Sequence, residues 1–364
     1  MRVAMIGLRG IPSRDGGVEV AVGELAPRLV SLGIQMVVYC RTPYVKDRLK
    51  SYRGVELVNL PTINNKHFEA FIHTLLSTVH ALLINRIDII HYHALGNALF
   101  SRVPGLFSKK SVVTMHGFDY EREKWSKFAK MVLRFGEIQA ILHADSIISV
   151  SQKIKRELAE RYGKKAVWIP NGIPKMPPGR TNSNIPYILF LSRLVPEKGT
   201  HTLIRAFKNV EFNGLLLIVG GGTHTEKYVE SLNSLKKGDP RIRLLGPKYD
   251  QEKSDLLHNA ILFVLPSTIE GMPIVLLEAM SFGTPVLVSD IQENVDVIQR
   301  VSGDIGYYFR ADDVDSLTVT LRKLLQDPSK MDSIASKAKY VTKELYNWDR
   351  IASQTFEVYQ ELTQ

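Results

Sequence analysis

The sequence is poor in cysteine and has no long apolar run. Its 364 residues include a single cysteine, Cys40, which cannot form an internal disulfide and fits a reducing compartment. The longest apolar stretches, such as Gly214 to Val219, fall far short of the roughly 20 residues that cross a bilayer. The apolar run that ends at Leu8 is too short for a secretory signal. These absences predict a cytosolic protein.

The sequence also lacks nucleic-acid-binding motifs, although it carries a surplus of positive charge. Lys and Arg number 47 against 37 Asp and Glu, for a formal net charge of +10. Such a surplus points to an anionic partner, which could be nucleic acid, an anionic membrane surface or a phosphorylated substrate. Zinc-ligand spacing, a helix-turn-helix signature and paired aromatic and basic strands are absent, and this disfavours nucleic acid.

The chain has no short internal repeat and no low-complexity tract, and its length suits two domains. Strand-like segments alternate with helical ones in two series, a pattern typical of parallel sheets covered on both faces. A stretch rich in proline and glycine separates the series. The sequence therefore predicts domains at 1–172 and 186–346, a linker at 173–185, and a final helix at 347–364 that packs back on the first domain.

A pair of glycines, Gly16 and Gly17, follows the first predicted strand and precedes a helix. In open α/β sheets ligands bind at the carboxyl ends of strands, so this loop is a candidate site. Glycines let the backbone approach a ligand, and the helix start offers free amides. The spacing is not that of dinucleotide-binding loops, and a flexible turn explains the pair equally well.

Three histidines lie on or just after neighbouring predicted strands. His91 and His93 alternate on one strand, and His116 follows the next. A histidine at a strand end can hydrogen-bond a sugar hydroxyl or transfer a proton. A metal site would need a carboxylate or cysteine nearby, and none completes a recognisable ligand set. We therefore assign a function to His116, expect His91 and His93 to be structural, and predict no bound metal.

Two cations bracket the turn after the first strand of the second domain. Arg193 and Lys198 stand on either side of a turn that opens a helix, so their charges add to the positive end of the helix dipole. This arrangement favours a diphosphate ligand. A solvated turn with an Arg–Glu pair is the alternative.

Two carboxylates flank the start of a later helix. Pro273 suits the first helical position, which leaves the following amides unpaired. Glu278 lies among apolar neighbours and needs a partner, which either a ribose or a structural ion pair would supply. Glu270, ahead of the helix, is placed to hold hydroxyls of a transferred sugar.

These motifs together resemble the donor site of family 4 glycosyltransferases of the GT-B fold. The resemblance covers nearly the whole chain, and Arg9 to Ser13 with Gly16-Gly17 is similar to a bacterial rhamnosyltransferase-like subgroup. It implies an α/β protein of two Rossmann-like doubly wound domains that face each other across a cleft. The residues that carry it in the second domain are Arg193, Lys198-Gly199, Glu270-Gly271, Pro273 and Glu278-Ala279.

The resemblance implies a retaining transfer of a sugar from a nucleotide-diphosphate sugar to a saccharide or lipid-diphosphate-linked saccharide, in the synthesis of cell-surface polysaccharide. Arg193 and Lys198 would neutralise the diphosphate, Glu278 would bind the ribose, Glu270 the donor hexose, and His116 the sugar near the reaction centre. Neither a metal nor a cofactor other than the donor is implied. The further donor contacts would be Gly16, Gly17, Gly222, Gly246, Gly271, Met272, Ile274 and Val275.

Two other functions remain as alternatives. A nucleotide-sugar epimerase shares the fold, and a non-catalytic sugar-nucleotide-binding subunit would be expected to have eroded site residues. A nicotinamide-dependent dehydrogenase is disfavoured because neither half has the dinucleotide-binding glycine pattern. One segment departs from the family pattern: many relatives have Gly-Gly before an acidic residue where this chain has Ile291 to Asn294, and we assign that loop no role.

A basic and aromatic stretch in the first domain suggests a membrane surface. Between Trp125 and Phe135 helical spacing places aromatic residues on one stripe and basic residues on another, a pattern that suits the headgroup region of a bilayer. An ordinary helix whose aromatic stripe faces the core is the alternative. The sequence thus predicts contact with the cytoplasmic face of an anionic membrane. The basic residues are Arg102, Lys109, Lys110, Arg122, Lys124, Lys127, Lys130 and Arg134.

Overall fold

The computed structural model divides the chain into two compact units. Unit 1 comprises Met1–Pro174 together with Asn347–Gln364, and unit 2 comprises Lys175–Tyr346. No helix among the described residues combines the length and apolar character needed to span a membrane. The described residues are 1–13, 16–45, 49–63, 68–83, 87–122, 125–181, 185–222, 225–299 and 304–364.

Unit 1 is built on an eight-stranded sheet of order β3-β4-β2-β1-β5-β6-β7-β8. All neighbouring strands are parallel except β3 and β4. The strands are β1 (Arg2–Ile6), β2 (Gln35–Arg41), β3 (Ser51–Tyr52), β4 (Val55–Leu60), β5 (Ile89–His93), β6 (Lys110–Met115), β7 (Ser146–Ser149) and β8 (Val167–Trp168). The helices are α1 (Gly17–Ser31), α2 (Glu69–Leu83), α3 (Lys127–His143), α4 (Gln152–Tyr162) and, at the end of the chain, α12 (Trp348–Thr363).

The strand order determines which face of the unit 1 sheet each helix covers. The connection from β1 to β2 runs one way along the sheet, whereas those from β4 to β5, β5 to β6 and β6 to β7 run the other way. Crossovers between parallel strands are right-handed, so α1 covers one face and α2 and α3 cover the opposite face. The last helix, α12, packs on α1, where Arg28 Nε donates to Asp349 Oδ1 at 2.8 Å.

Helix ends in unit 1 follow the local sequence. The Ser126 and Ser151 hydroxyls accept the amides of Ala129 and Ile154 and so cap α3 and α4. Gly163 ends α4 with a φ of 63°, a left-handed conformation that glycine adopts without strain.

Unit 2 has a six-stranded, wholly parallel sheet of order β11-β10-β9-β12-β13-β14. The order reverses between β9 and β12, so the loops after these two strands diverge and leave a crevice between them. The strands are β9 (Tyr187–Leu191), β10 (Leu215–Val219), β11 (Ile242–Gly246), β12 (Leu262–Leu265), β13 (Val286–Ser289) and β14 (Tyr307–Phe309). The helices are α5 (Thr200–Lys208), α6 (Glu226–Leu235), α7 (Asp250–Asn259), α8 (Ile274–Phe282), α9 (Gln292–Ile298), α10 (Val314–Leu325) and α11 (Pro328–Leu345).

Both sheets are buried on their two faces, as their nearly continuous apolar strands predict. Val3 to Ile6 in β1 and Leu262 to Leu265 in β12 are fully buried. Three elements were not predicted: β3 and β14 are edge strands of two and three residues, and α9 is a seven-residue helix without a side-chain cap. Elements this short carry too little periodicity to be recognised.

Candidate functional site

The loops at the carboxyl edge of the unit 2 sheet are hydrogen-bonded to one another. The amide of Leu194, after β9, donates to Gly221 O after β10 at 3.0 Å, and Gly220 N donates to Gly246 O at the end of β11 at 3.0 Å. Thr268 N, after β12, reaches back to Glu197 O at 2.9 Å. These bonds connect four strand ends into one continuous rim, which holds the candidate residues on fixed backbone.

Two glycines permit this close approach. Gly199 has a φ of 66°, and a Cβ there would lie 2.0 Å from Pro266 O. A Cβ on Gly220 would lie 1.8 Å from Ser192 O. Neither position can accept a side chain without displacing a neighbouring loop. Gly246, with φ of 68°, has open space around it, and Gly222 is exposed beside Thr225.

Lys198 and Glu270 meet where the unit 2 strand order reverses. Lys198 ends a short 3-10 helix after β9, and Glu270 lies in the loop after β12. Lys198 Nζ donates to Glu270 Oε1, and the two side chains are only 11% and 7% exposed. From the sequence, Lys198 is predicted to bind a diphosphate and Glu270 a hexose, and the structure brings the two residues into direct contact at the crevice between β9 and β12.

The remaining cation and the helix start lie on the same two loops. Arg193 is exposed in the loop after β9, and its carbonyl accepts the Val195 amide at 3.1 Å. Gly271 and Met272 are buried after Glu270, and the half-buried Ile274 and Val275 form the first turn of α8. Pro273 is the N-cap of α8 rather than its first helical residue, because its ψ of 106° is extended. The first-turn amides of α8 still point out of the helix end.

Glu278 is a buried carboxylate in the second turn of α8, with 3% of its surface exposed. Lys253, on α7, donates from Nζ to Glu278 Oε1 at 2.7 Å, so the structural ion pair considered as an alternative is present. Oε2 lies 2.6 Å from the same nitrogen, so both carboxylate oxygens face the Lys253 ammonium. The carboxylate therefore has a counter-ion, and each oxygen can still accept one further hydrogen bond.

In unit 1 the three histidines form a stacked column, in which His91 and His93 are buried and His116 is partly exposed. His91 Nδ1 lies 2.5 Å from the Tyr359 hydroxyl of α12, and Nε2 lies 2.7 Å from Thr114 Oγ1. His93 stacks on His91 with ring centroids 4.4 Å apart, and its Nδ1 lies 3.1 Å from His116 Nε2. His91 thus joins the last helix to the sheet, while His93 is the direct neighbour of His116.

Burial keeps these rings neutral. It lowers the pKa of His91 to about 3 and that of His116 to about 4, and it holds the pKa of His93 well below the usual value. No group of three potential metal ligands occurs among the described residues. His116 is therefore suited to exchange hydrogen bonds as a neutral ring at pH 7.

This column makes stability depend on pH. In the unfolded chain each ring titrates near 6.5, so between about pH 6.5 and 4 the unfolded state binds more protons than the native state. We expect the free energy of unfolding to fall as the pH drops from 6.5 to 5, by about 2 kcal/mol for each ring of the column. Urea unfolding at pH 7, 6 and 5 measures this, and an unfolding free energy that stays constant over that range would contradict the buried neutral column.

The glycine pair lies next to the carboxylate of Glu19, which was not predicted as a site residue. Gly16 has a φ of 88° and is the N-cap of α1, and a Cβ on Gly17 would meet no atom of the described residues within 4 Å. Glu19 is buried and accepts the Arg9 amide on Oε1 at 3.0 Å, which fastens the loop after β1 to the first turn of α1. The sequence feature that could have identified Glu19 is an acidic residue in the first turn of a helix that follows two glycines.

Asn97 and Asn294 also support these strand ends, and the sequence did not predict that role. Asn97 donates to Gly7 O at 3.1 Å and to His93 O at 2.5 Å, which joins the loops after β1 and β5 where the strand order of unit 1 reverses. In unit 2 the Asn294 amide donates to Ser289 Oγ at 3.0 Å. Asn294 belongs to the segment that departs from the family pattern, and the structure gives it a role in holding the end of β13.

Comparisons with known proteins agree with this architecture. The model for glycosyltransferase family 4 matches residues 15–175, and that for glycosyl transferases group 1 matches residues 175–341. An uncharacterised glycosyltransferase of Methanocaldococcus jannaschii is 25% identical over 99% of this chain and 98% of its own length. The Escherichia coli UDP-Gal:alpha-D-GlcNAc-diphosphoundecaprenol alpha-1,3-galactosyltransferase is 29% identical over 72% of each chain.

Among solved structures, sucrose-phosphate synthase from Thermosynechococcus elongatus superposes with a TM-score of 0.85 over 100% of this chain and 99% of that chain, at 21% identity. Such a likeness establishes the fold. Together with the two family matches, which span residues 15–341, it shows that this chain is a glycosyltransferase of the GT-B type, with a family 4 domain followed by a group 1 domain.

Proposed function

We propose that this protein transfers a sugar from a nucleotide-diphosphate sugar to a saccharide or lipid-diphosphate-linked saccharide, with retention of anomeric configuration and without a metal. The observation that carries the proposal is the buried contact between Lys198 and Glu270 at the reversal point of the unit 2 sheet. A cation and a carboxylate in one crevice suit a ligand that has both phosphates and hydroxyls.

The diphosphate is assigned to Arg193, Lys198 and the first amides of α8. As the bond between the sugar C1 and the phosphate oxygen breaks, negative charge develops on the departing nucleoside diphosphate. Fixed cations and helix amides stabilise that charge without needing to reorganise. Glu270 is then positioned to accept hydrogen bonds from the hexose, with Lys198 keeping its carboxylate in place.

The ribose is assigned to Glu278. Both of its oxygens face the Lys253 ammonium, at 2.7 and 2.6 Å, and each can still accept one further hydrogen bond. A ribose hydroxyl would donate to one of them, so the nucleotide adds to the ion pair and does not replace it.

His116 is assigned to a hydroxyl of the transferred sugar, and its partly exposed, neutral ring is suited to this contact. For retention, the acceptor oxygen attacks C1 on the face from which the diphosphate leaves. The acceptor proton passes to the departing phosphate oxygen, so the products are the glycoside and the nucleoside diphosphate. The bond broken is C1 to phosphate oxygen, and the bond formed is C1 to acceptor oxygen.

The acceptor class rests on a relative. The galactosyltransferase of Escherichia coli, as its name states, acts on a sugar carried by diphosphoundecaprenol. A lipid-linked acceptor places the enzyme at the cytoplasmic face of a membrane, where cell-surface polysaccharide is assembled. We include in the proposal a contact between unit 1 and anionic lipid through its basic segment. Lys124, one of the residues of that segment, lies outside the described residues.

The test is a release assay with a panel of UDP-, GDP- and dTDP-sugars and a lipid-diphosphate acceptor extract. The panel includes a deoxyhexose donor, because the N-terminal motif is similar to rhamnosyltransferase-like enzymes. Nucleoside diphosphate release that depends on acceptor supports transfer, and proton NMR of the product reports its anomeric configuration. Epimerised nucleotide sugar without transfer would instead identify an epimerase.

Activity is expected to survive chelation. No Asp-x-Asp pair directly follows a strand among the described residues, and the Asp313 and Asp315 pair lies at the start of α10, where Asp313 accepts the Ser316 amide at 2.8 Å. With Arg193 and Lys198 available as fixed cations, an excess of EDTA should leave the initial rate within about twofold of the untreated enzyme. A loss restored by manganese or magnesium would contradict metal independence and make the three histidines a candidate ligand set again.

A further inference from the structure

The burial pattern of helix α2 is the reverse of that of an ordinary surface helix, because its polar side faces the protein and its apolar side is exposed. A water-facing helix buries its apolar side and exposes its polar side, but α2 buries His73, Thr74, Ser77 and Thr78. Thr74 Oγ1 donates to Asn97 Oδ1 at 2.6 Å, and Thr78 Oγ1 lies 3.2 Å from the Tyr92 hydroxyl. The polar side is therefore held inward by specific hydrogen bonds. The apolar side chains left exposed at and ahead of α2 are Phe68, Phe71, Leu75, Leu76, Val79 and Leu83, and His80 is exposed among them.

Helix α3 also exposes an apolar stripe. Gly136 is on its inward side, so close to the sheet connection that a Cβ there would lie 2.1 Å from Leu95 O. That contact determines which side of α3 faces inward. The aromatic stripe was expected either in the headgroup region or in the core, and Phe128 is 66% exposed. The exposed residues, spaced alternately by three and four, are Phe128, Met131, Phe135, Ile138 and Leu142.

The two stripes lie on the same face of the unit 1 sheet, because the crossovers that contain α2 and α3 run in the same direction along it. The segment between β5 and β6 lies between them. Its Phe100 contacts Phe71 of α2 with ring centroids 5.3 Å apart, and Leu133 of α3 packs against Gly96. The same segment exposes Leu106 and Phe107. We call the exposed residues of α2, α3 and this segment the apolar face.

Exposed cations neighbour the apolar face in the sequence. Arg102 and Lys110 flank Leu106 and Phe107, and Lys127 and Arg134 belong to α3, although Lys110 also pairs with Asp145 at 3.3 Å. A cavity of about 440 Å³ opens next to the stripe of α3, and its charged lining mixes Lys130, Arg134 and Arg161 with the carboxylates Glu121 and Glu137. Two copies of this chain joined through the apolar face would bring cations together, whereas an anionic bilayer matches both the apolar and the basic residues.

We propose that the apolar face inserts into the boundary between headgroups and acyl chains of an anionic bilayer, with α2 and α3 lying in the plane of the interface. This deepens the membrane contact in the proposed function by adding a hydrophobic surface to the basic one. Burial of apolar area is insensitive to salt, whereas attraction between exposed lysines and anionic lipid is screened. Binding should therefore have a salt-resistant part.

The test is cosedimentation of the full chain with vesicles of phosphatidylcholine containing about 30% phosphatidylglycerol. It is done at roughly 0.1 M NaCl, where attraction between exposed charges is weakly screened, and at roughly 0.5 M NaCl, where it is strongly screened. The variant is Leu75→Ser with Val79→Ser and Phe128→Ser, all at exposed positions. The matched control is Val319→Ser with Tyr340→Ser, at exposed apolar positions of unit 2. We expect the wild type and the control to pellet at both salt concentrations, and the variant to bind at least about tenfold more weakly.

Three results would overturn the inference. They are failure of the wild type to pellet at low salt, equal pelleting of the variant, and self-association without vesicles that the same three substitutions abolish. Thermal unfolding checks that the variant folds, which we expect because the changed side chains contact solvent. Nucleoside diphosphate release with a water-soluble acceptor separates this inference from the proposed function: vesicle binding without transferase activity refutes the function alone, and activity without vesicle binding refutes the inference alone.

Discussion

Replacing Lys198 by alanine should lower kcat/KM about 100- to 1000-fold while the protein stays folded. Removal of one preorganised group that stabilises transition-state charge typically costs about this factor. Lys198 is nearly buried at the crevice between β9 and β12, so water cannot readily take over its charge. Arg193 on the same loop is exposed, so we expect Arg193→Ala to lower kcat/KM as well, but by a smaller factor.

The contact with Glu270 complicates a single substitution, because Lys198→Ala leaves a buried carboxylate without its counter-ion. Comparison with Glu270→Gln and with the double variant separates the two effects. If Lys198 acts on the diphosphate, the double variant regains stability but turns over more slowly than Glu270→Gln alone. Lys248→Ala is the matched control, since Lys248 pairs with Glu252 on the surface of the same unit at 2.6 Å.

Steady-state rates over a range of donor concentrations and thermal unfolding of all five variants are the measurements. Full turnover in Lys198→Ala would remove the diphosphate assignment. Recovery of both stability and turnover in the double variant would show that Lys198 serves only to neutralise Glu270.

The alternation of strands and helices was sufficient to predict the parallel sheets, because strands buried on both faces are apolar along their whole length. Local signals coincide with helix ends in the structure, since Ser126 caps the start of α3 and Gly163 the end of α4. The sequence did not reveal β14 or α9, whose three and seven residues have no periodicity to recognise.

Within the candidate site, the sequence indicated single residues better than their partners. Lys198 and Glu270 were singled out separately, but their contact depends on the order of strands in the sheet, which a separation of 72 positions does not encode locally. Lys253 has no signal of its own in a highly charged helix, and it became relevant only when α7 was seen to pack against α8. The inversion of α2 escaped notice because an apolar stripe at helical spacing is normally a core stripe.

Glu278→Gln should weaken nucleoside diphosphate binding about 10- to 100-fold. A hydrogen bond from a hydroxyl to a charged acceptor contributes about 1.5–3 kcal/mol, and about 1.4 kcal/mol corresponds to a tenfold change in affinity. Isothermal titration calorimetry with UDP, GDP and dTDP measures the effect on whichever nucleotide the wild type binds most tightly. The substitution keeps the shape of the side chain, so any change reports on charge and hydrogen bonding.

Lys253 decides between a ligand-binding and a purely structural role for Glu278. Lys253→Met leaves the buried Glu278 carboxylate without a counter-ion and should lower the thermal midpoint. The decrease should be moderate because Lys253 itself is partly exposed. The double variant Glu278→Gln with Lys253→Met removes both charges and should recover much of that stability. If Glu278 binds the ribose, nucleotide affinity stays weak in the double variant, whereas Lys253→Met alone retains most of it. If affinity is unchanged in Glu278→Gln and only stability falls, the ion pair is the whole role of this carboxylate and the ribose must be held elsewhere.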